Sequence, residues 1–242
     1  MMCCINSNTE LIPWVQDIPS NWSSCRLSDV TDIIFSNVDK HILEEEVSVR
    51  LCNYTDVYNN ETITAEMNFM KATALPREID RFQLERGDVL ATKDSESWDD
   101  IAIAARVADD LPGVLCGYHL ALVRPRSKRI MGEYLGWLYQ SKPFRAQYEA
   151  KAVGVTRFGL GQSVFKQTII PLPDREEQHL IANYLDKACE AIDGAIKAKR
   201  KQLEVLADLR KSIIHKAVTK GLDDSVELKD SGIEWFDDIP KH

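Results

Sequence analysis

From Asp174 to Lys220 the chain contains no proline, and Gly221 is the first strong breaker after it. Pro171 and Pro173 close whatever precedes this stretch. Asp174 and Glu177 then stand at capping-box spacing, with Asp in the position usually held by Ser or Thr. These signals predict one helix of about 45 residues, roughly 65 Å long at about 1.5 Å per residue. Leu185, Ala188, Ile192, Ile196, Leu203, Leu206, Ile213 and Ala217 follow a three-four rhythm along it, interrupted by Lys199. A stripe of that length is too long for the preceding domain to cover and calls for a partner helix. The alternative is a helix folded back as a hairpin near Gly194. Lys197, Lys199, Arg200 and Lys201 form a basic cluster that suits a solvated face better than a DNA contact.

Ahead of the helix, from residue 23 to about 173, the pattern is mixed and β-rich. Gly87 to Thr92 reads as a turn entering a strand, and Ile101 to Val107 as a second apolar strand. Residues 116 to 123 alternate Cys116, Tyr118, Leu120 and Leu122 against Gly117, His119, Ala121 and Val123, which predicts one continuous strand. His119 then reads as a packed histidine. Met131 to Tyr139 has helical spacing, and Ser141 with Pro143 has the form of a cap and first turn of a further short helix. The expected fold class is α+β: a compact domain over 11–173, a coiled-coil helix over 174–220 and a tail over 221–242. Ile12-Pro13-Trp14-Val15-Gln16-Asp17-Ile18-Pro19 is echoed by Ile233-Glu234-Trp235-Phe236-Asp237-Asp238-Ile239-Pro240. A segment recurring at that distance suggests one unit of a tandem pair, whose two-fold arrangement two copies of the chain would restore.

Net charge is −8, which taken alone argues against a nucleic-acid partner. Residues 1 to 123 hold 9 Lys or Arg against 21 Asp or Glu, whereas residues 124 to 166 hold 9 Lys or Arg against Glu133 and Glu149 alone. The positive field is therefore local, and Arg124, Arg126, Lys128 and Arg129 are its densest part. They read equally as a solvated loop or as an anion-binding surface. The longest apolar run, Ile101 to Ala105, is far short of the ~18 residues a bilayer span needs, so a cytoplasmic location is expected. The six cysteines have neither CxxC spacing nor nearby histidines at zinc-ligand intervals, and are expected to be reduced thiols, with no metal bound. No glycine-rich phosphate loop is present, nor the Asn- or Asp-Pro-Pro-aromatic tetrapeptide with which adenine methyltransferases hold a flipped base. Glu149-Ala150-Lys151 imitates half of a nuclease site but has no acidic partner on a preceding strand. The chain is expected to be non-catalytic and to bind no cofactor.

Several segments together resemble the DNA specificity subunit of type I restriction-modification systems. They are Ile12-Pro13-Trp14 through Trp22, Gly87 through Ser95, Cys116 through Leu120, Gly154 through Leu160, Ile170 through Pro173 with Glu176-Glu177-Gln178, Ala217 through Gly221, and Lys229 through Trp235. The order is kept over nearly the whole chain. Full-length members carry two target-recognition domains and two long helices packed as an antiparallel coiled coil; this chain matches the first half. The resemblance implies a half-length subunit that dimerises through its helix, by Leu185, Ile192, Ile196, Leu203, Leu206 and Ile213, and reads a palindromic bipartite site on double-stranded DNA. It also implies methyltransferase and restriction subunits as partners, with S-adenosylmethionine held by the methyltransferase subunit. Candidate DNA contacts are Lys93 after the Leu90 strand, Arg124, Arg126, Lys128 and Arg129 on the basic loop, and Thr156 with Arg157 in a glycine-flanked loop, where the backbone has room to approach DNA. The rival reading is a coiled-coil assembly or regulatory remnant that no longer reads DNA.

Overall fold

A computed structural model describes residues 18–126, 128–223, 225–234 and 238–241. The first elements are β1 (Ser23–Arg26), a 3-10 turn (Leu27–Asp29), β2 (Thr31–Phe35), β3 (Val47–Cys52), α1 (Tyr54–Tyr58), β4 (Thr62–Ile63), β5 (Met70–Ala74) and α2 (Pro76–Phe82). β6 (Val89–Thr92), β7 (Asp94–Ser95), β8 (Ala104–Val107), β9 (Val114–Cys116), β10 (Leu120–Pro125), α3 (Gly132–Gln140) and α4 (Lys142–Glu149) follow. Then come β11 (Val153–Gly154), β12 (Phe158–Gly159), α5 (Gln162–Gln167), β13 (Ile169–Leu172), α6 (Arg175–Lys220), β14 (Leu228–Lys229) and β15 (Ile239–Pro240). These residues fall into two compact units, one ending at Leu185 and the other beginning at Asp186.

The first unit is built on a five-stranded sheet in the order β2-β10-β6-β8-β4, antiparallel except for the parallel β4–β8 pair. Both faces of its centre are covered. Val89, Ala91, Ala121 and Val123 point into one apolar cluster with Tyr134, Leu135, Tyr139, Phe144, Tyr148 and Phe165 of α3, α4 and α5. Leu90, Leu120 and Leu122 point into a second cluster with Leu51, Ala72, Phe82 and Leu115 of β3, β5, α2 and β9. A strand buried on both sides carries apolar residues at every position, so its period of two has no polar phase. The flanking three-stranded sheet has the order β5-β3-β9, with β9 parallel to β3. β1 pairs antiparallel with β13, so the beginning and end of this unit close on each other.

Two of the expected strands are shorter than the sequence suggests. The eight-residue strand over 116–123 is broken: β9 stops at Cys116, Gly117 to His119 form a turn, and β10 starts at Leu120. Gly117 donates its N–H to the Cys52 carbonyl at 2.9 Å, and a Cβ on it would stand 2.7 Å from that oxygen. The chain bends where only glycine approaches closely enough. The strand expected from Ile101 begins only at Ala104, because Ala102 adopts a left-handed φ of 58°. Thr92 holds this kink, its carbonyl accepting from Ala102 at 3.2 Å and its hydroxyl from Ile103 at 3.1 Å.

At the far end of β10, Arg124 forks onto the buried carboxylate of Asp88, Nε to Oδ1 at 2.9 Å and Nη2 to Oδ2 at 2.7 Å. Nη2 also donates to the Gln83 carbonyl and Nη1 meets Glu85, each at 2.7 Å. Asp88 in turn accepts the Glu85 N–H at 2.8 Å, which ties the turn before β6 to the end of β10.

α6 runs unbroken through Gly194 for 46 residues, so the chain does not fold back there. Its N-terminus is capped by Asp174, whose Oδ1 accepts the Glu177 N–H at 2.8 Å. Gln178 is fully buried: its amide donates to the carbonyls of Arg129 and Pro173 and its oxygen accepts the Met131 N–H. Trp22 Nε1 donates to Glu177 at 2.8 Å. The first turns of the helix thus belong to the first unit. In the second unit Ile192, Ile196, Leu203, Leu206 and Ile213 are exposed, as are Val205, Leu209 and Ile214, while Leu185 in the first is partly covered. β14 and β15 form a two-stranded antiparallel ladder. Most of the repeated segment, residues 12–17 and 235–237, lies outside the described residues. No described helix is long and apolar enough to cross a membrane.

Arg124→Met leaves the Asp88 carboxylate buried without its partner and is expected to lower stability by about 3 kcal/mol in chemical denaturation. Cys25, Cys52 and Cys116 are buried and form no disulfide, and burial pushes Cys52 and Cys116 well above the usual thiol range. Those two remain protonated at neutral pH. In the native protein Cys189 is expected to react with an alkylating reagent ahead of all three, a ranking read by mass spectrometry.

Candidate nucleic-acid interface

The two ends of β10 divide the candidate DNA contacts. Arg124, Arg126, Lys128 and Arg129 lie at one end; Lys93, Thr156 and Arg157 gather at the other, about 17 Å away at ~3.4 Å per residue from His119 to Arg124. Arg124 is committed to Asp88, a structural role that its place in a basic run does not reveal. Arg126 is exposed but engaged: Nη1 meets Asp32 at 3.1 Å and Nη2 donates to the Ser28 carbonyl at 3.0 Å. The carbonyls of Lys128 and Arg129 accept from Arg175 and Gln178, so their backbone anchors the start of α6. Arg86, Arg126, Lys128 and Arg175 line an open groove here, together with Glu85 and Glu133.

At the opposite end, β11 and β12 form a tight antiparallel hairpin, and β12 pairs with β7, with Phe158 opposite Ser95 and Gly159 opposite Asp94. A Cβ on Gly154 would lie 2.0 Å from the Arg157 carbonyl, so glycine is what lets the hairpin close. Its loop, Val155-Thr156-Arg157, is exposed, Val155 to 92%. Arg157 reaches back to Asp94, Nε to Oδ1 at 3.1 Å and Nη2 to the same oxygen. The other oxygen of Asp94 holds His119 Nδ1 at 2.8 Å. His119 is therefore no packed strand residue; the turn at Gly117 swings it half out of the protein, next to exposed Tyr118.

Lys93 sits beside this cluster. Its ammonium donates to the Ser36 carbonyl at 3.0 Å and lies 5.2 Å from the Phe35 ring centroid and 4.5 Å from that of Tyr118. Burial lowers its pKa, opposed by the charge of Asp94. From the other side α1 contributes Tyr54 and Tyr58, whose rings stack with centroids 5.5 Å apart. Tyr58 donates its hydroxyl to Asp100 at 2.7 Å, a bond that raises its pKa. Tyr54 is raised by burial, against a hydrogen bond with Ser95 and the charge of Arg157. Both phenols remain donors at neutral pH. Trp98 stands exposed on the loop between β7 and Asp100.

The result is an exposed face with a guanidinium paired to Asp94, a hydroxyl, a half-buried ammonium and four aromatic side chains, bordered by the carboxylates of Glu96, Asp99 and Asp100. Groups of these kinds are the ones that can contact phosphates, base edges and base faces. Of the residues on this face the sequence singles out Lys93, Thr156 and Arg157 as candidates, and not Tyr54, Tyr58, Trp98, Tyr118 or His119. The last two follow from locating the Gly117 turn; Tyr54 and Tyr58 arrive only through tertiary packing of α1 beside β6. Among the described residues no cluster of three or more His, Cys, Asp or Glu side chains is placed to hold a metal ion.

A Methanocaldococcus jannaschii protein named for the specificity subunit of type I restriction enzyme MjaX is 26% identical over 223 residues, covering 90% of this chain and 50% of that one. The MjaVIII specificity subunit of the same organism is 25% identical over 206 residues, covering 85% and 47%. The chain thus spans about half the length of these relatives. A solved structure from work on complex assembly and conformational transition of the type I restriction-modification system aligns with a TM-score of 0.64 at 20% identity, covering 86% of this chain and 48% of that one. The HsdS subunit from Thermoanaerobacter tengcongensis aligns with a TM-score of 0.55 at 20% identity, covering 86% and 47%. Both establish likeness of fold. A family model for the type I restriction modification DNA specificity domain matches residues 19–205, and the chain belongs to that family.

Proposed function

We propose that this chain is a sequence-reading subunit of a type I restriction-modification complex, acting as a homodimer. It directs adenine methylation, and restriction, by separate subunits that dock on it. It performs no chemistry of its own; S-adenosylmethionine belongs to the methyltransferase subunits, and a protein that works on DNA in this way acts in the cytoplasm. The observation that carries the reading is the face at the His119 end of β10, where Lys93 lies over the exposed Tyr118 ring and the exposed hairpin loop carries Thr156 and Arg157, the latter reaching Asp94 of β7. Base contacts are assigned to that face. Arg126, Lys128 and Arg129, at the other end of the strand, lie beside the root of α6 and are assigned no base contact.

The exposed stripe on α6 supports dimerisation. Ile192, Ile196, Leu203, Leu206 and Ile213 are all more than two-fifths exposed. Fully burying each against a partner is worth about 1.5–3 kcal/mol, so a second copy of the same stripe offers a strong drive to pair. Two copies related by a two-fold axis present two identical readers, and the half-sites they read are inverted repeats.

Arg157→Ala is expected to weaken binding to a cognate duplex about tenfold or more, whereas Arg126→Ala leaves affinity within about twofold. Both are read by band shift with the methyltransferase subunits present. Equal losses in the two variants would move the reading surface away from the hairpin. Light scattering is expected to give the mass of two chains for the wild type, and of one chain for the double variant Ile196→Asp, Leu203→Asp. A wild type that stays monomeric at micromolar concentration would overturn the dimer.

A further inference from the structure

A carboxylate in the middle of a surface meant for DNA is electrostatically unfavourable, and Asp94 stands in that position. Its side chain is mostly covered, and both oxygens are in use. Oδ1 accepts from Nε and Nη2 of Arg157, and Oδ2 from Nδ1 of His119. Backbone pairing fixes it as well, since Asp94 lies opposite Gly159 in the β7–β12 ladder.

The donors that Arg157 commits to Asp94 lie on one edge of the planar guanidinium. Its end-on edge is made of Nη1, which donates to no described residue, and the second proton of Nη2, beside which His119 Nδ1 lies at 3.2 Å, and it carries two parallel N–H groups. That is the pattern that matches O6 and N7 of guanine in the major groove. His119 is constrained too. An ionised carboxylate has no proton to give, so Nδ1 must carry it, and the 3.2 Å approach of Arg157 Nη2 to Nδ1 is packing rather than a hydrogen bond. In the neutral ring Nε2 is left with its lone pair, an acceptor for the exocyclic amine of cytosine or adenine.

We infer that Asp94 is a positioning residue that locks Arg157 and His119 into a single reading head. The head is directed at a guanine in each half-site and at an exocyclic amine beside it. An arginine already held in its binding geometry loses less side-chain freedom on meeting the base, so discrimination rises even though Asp94 itself repels phosphate. The inference rests on the DNA-reading function proposed above.

The test is selection from a random-sequence duplex pool by the full chain bound to its methyltransferase subunits, followed by sequencing. The wild type is expected to select a motif with one guanine per half-site preferred at least tenfold. Asp94→Asn reduces that preference to about threefold or less while the rest of the motif and the salt dependence of binding stand. Arg157→Lys, which keeps the charge but not the fork, loses the same position, and His119→Ala weakens only the adjacent one. Unchanged base preferences in Asp94→Asn overturn the inference. So does a uniform loss across the motif accompanied by a lowered melting temperature, which marks a purely structural role. If Asp94→Asn does not fold, Arg157→Lys decides, and retention of the guanine preference overturns the inference. A wild type that selects no motif removes the DNA-reading function itself, and this inference with it.

Discussion

Burial of β6 and β10 on both faces governs where this domain can place polar chemistry. With one apolar cluster on each side, the middle of the sheet has no surface on which a cation or a phenol can stand. Polar groups are driven to the strand ends, and the two ends have different tasks. One joins the Asp88–Arg124 pair to the turn before β6 and, through Arg129, Met131 and Gln178, to the start of α6. The other presents Lys93, His119 and the hairpin. The same two strands therefore connect the face bearing Lys93 and His119 to the root of the helix.

Overall acidity and a nucleic-acid partner are compatible because charge acts locally at physiological salt, where screening falls off over about 8 Å. Carboxylates remote from the hairpin are largely invisible to a bound duplex. Of those close to it, Asp94 is paired with Arg157 and His119, and Asp100 accepts the Tyr58 hydroxyl, while Glu96 and Asp99 stand exposed on the loop after β7. The face therefore sets donors and rings beside an acidic loop.

The long helix was legible in the sequence because its cap, its stripe and its terminator are local signals: Asp174, the apolar rhythm and Gly221 sit on one stretch of chain. The α+β character and the helices after Met131 were legible for the same reason. The strand over 116–123 was not, since a doubly buried strand and a turn followed by a strand both read as apolar alternation; the carbonyl of Cys52, sixty-odd residues earlier, decides between them. Nor do the arginines declare their roles. Arg124 and Arg157 each fork onto an aspartate, yet Asp88 is 1% exposed and sits under the turn before β6, whereas Asp94 stands between Arg157 and His119 within an open face. That contrast is tertiary, and no count of charge along the chain reaches it.

The β11–β12 hairpin belongs to its own small sheet with β7 rather than to the five-stranded one. At its tip, Val155 and Thr156 are exposed, and the turn depends on Gly154 and on backbone pairing rather than on those two side chains, whereas Arg157 is tied to Asp94. Val155 and Thr156 are consequently free to be exchanged at little thermodynamic penalty. In the function proposed above, loop positions uncoupled from folding in this way would let new target sequences arise by a few substitutions, with the rest of the domain left undisturbed.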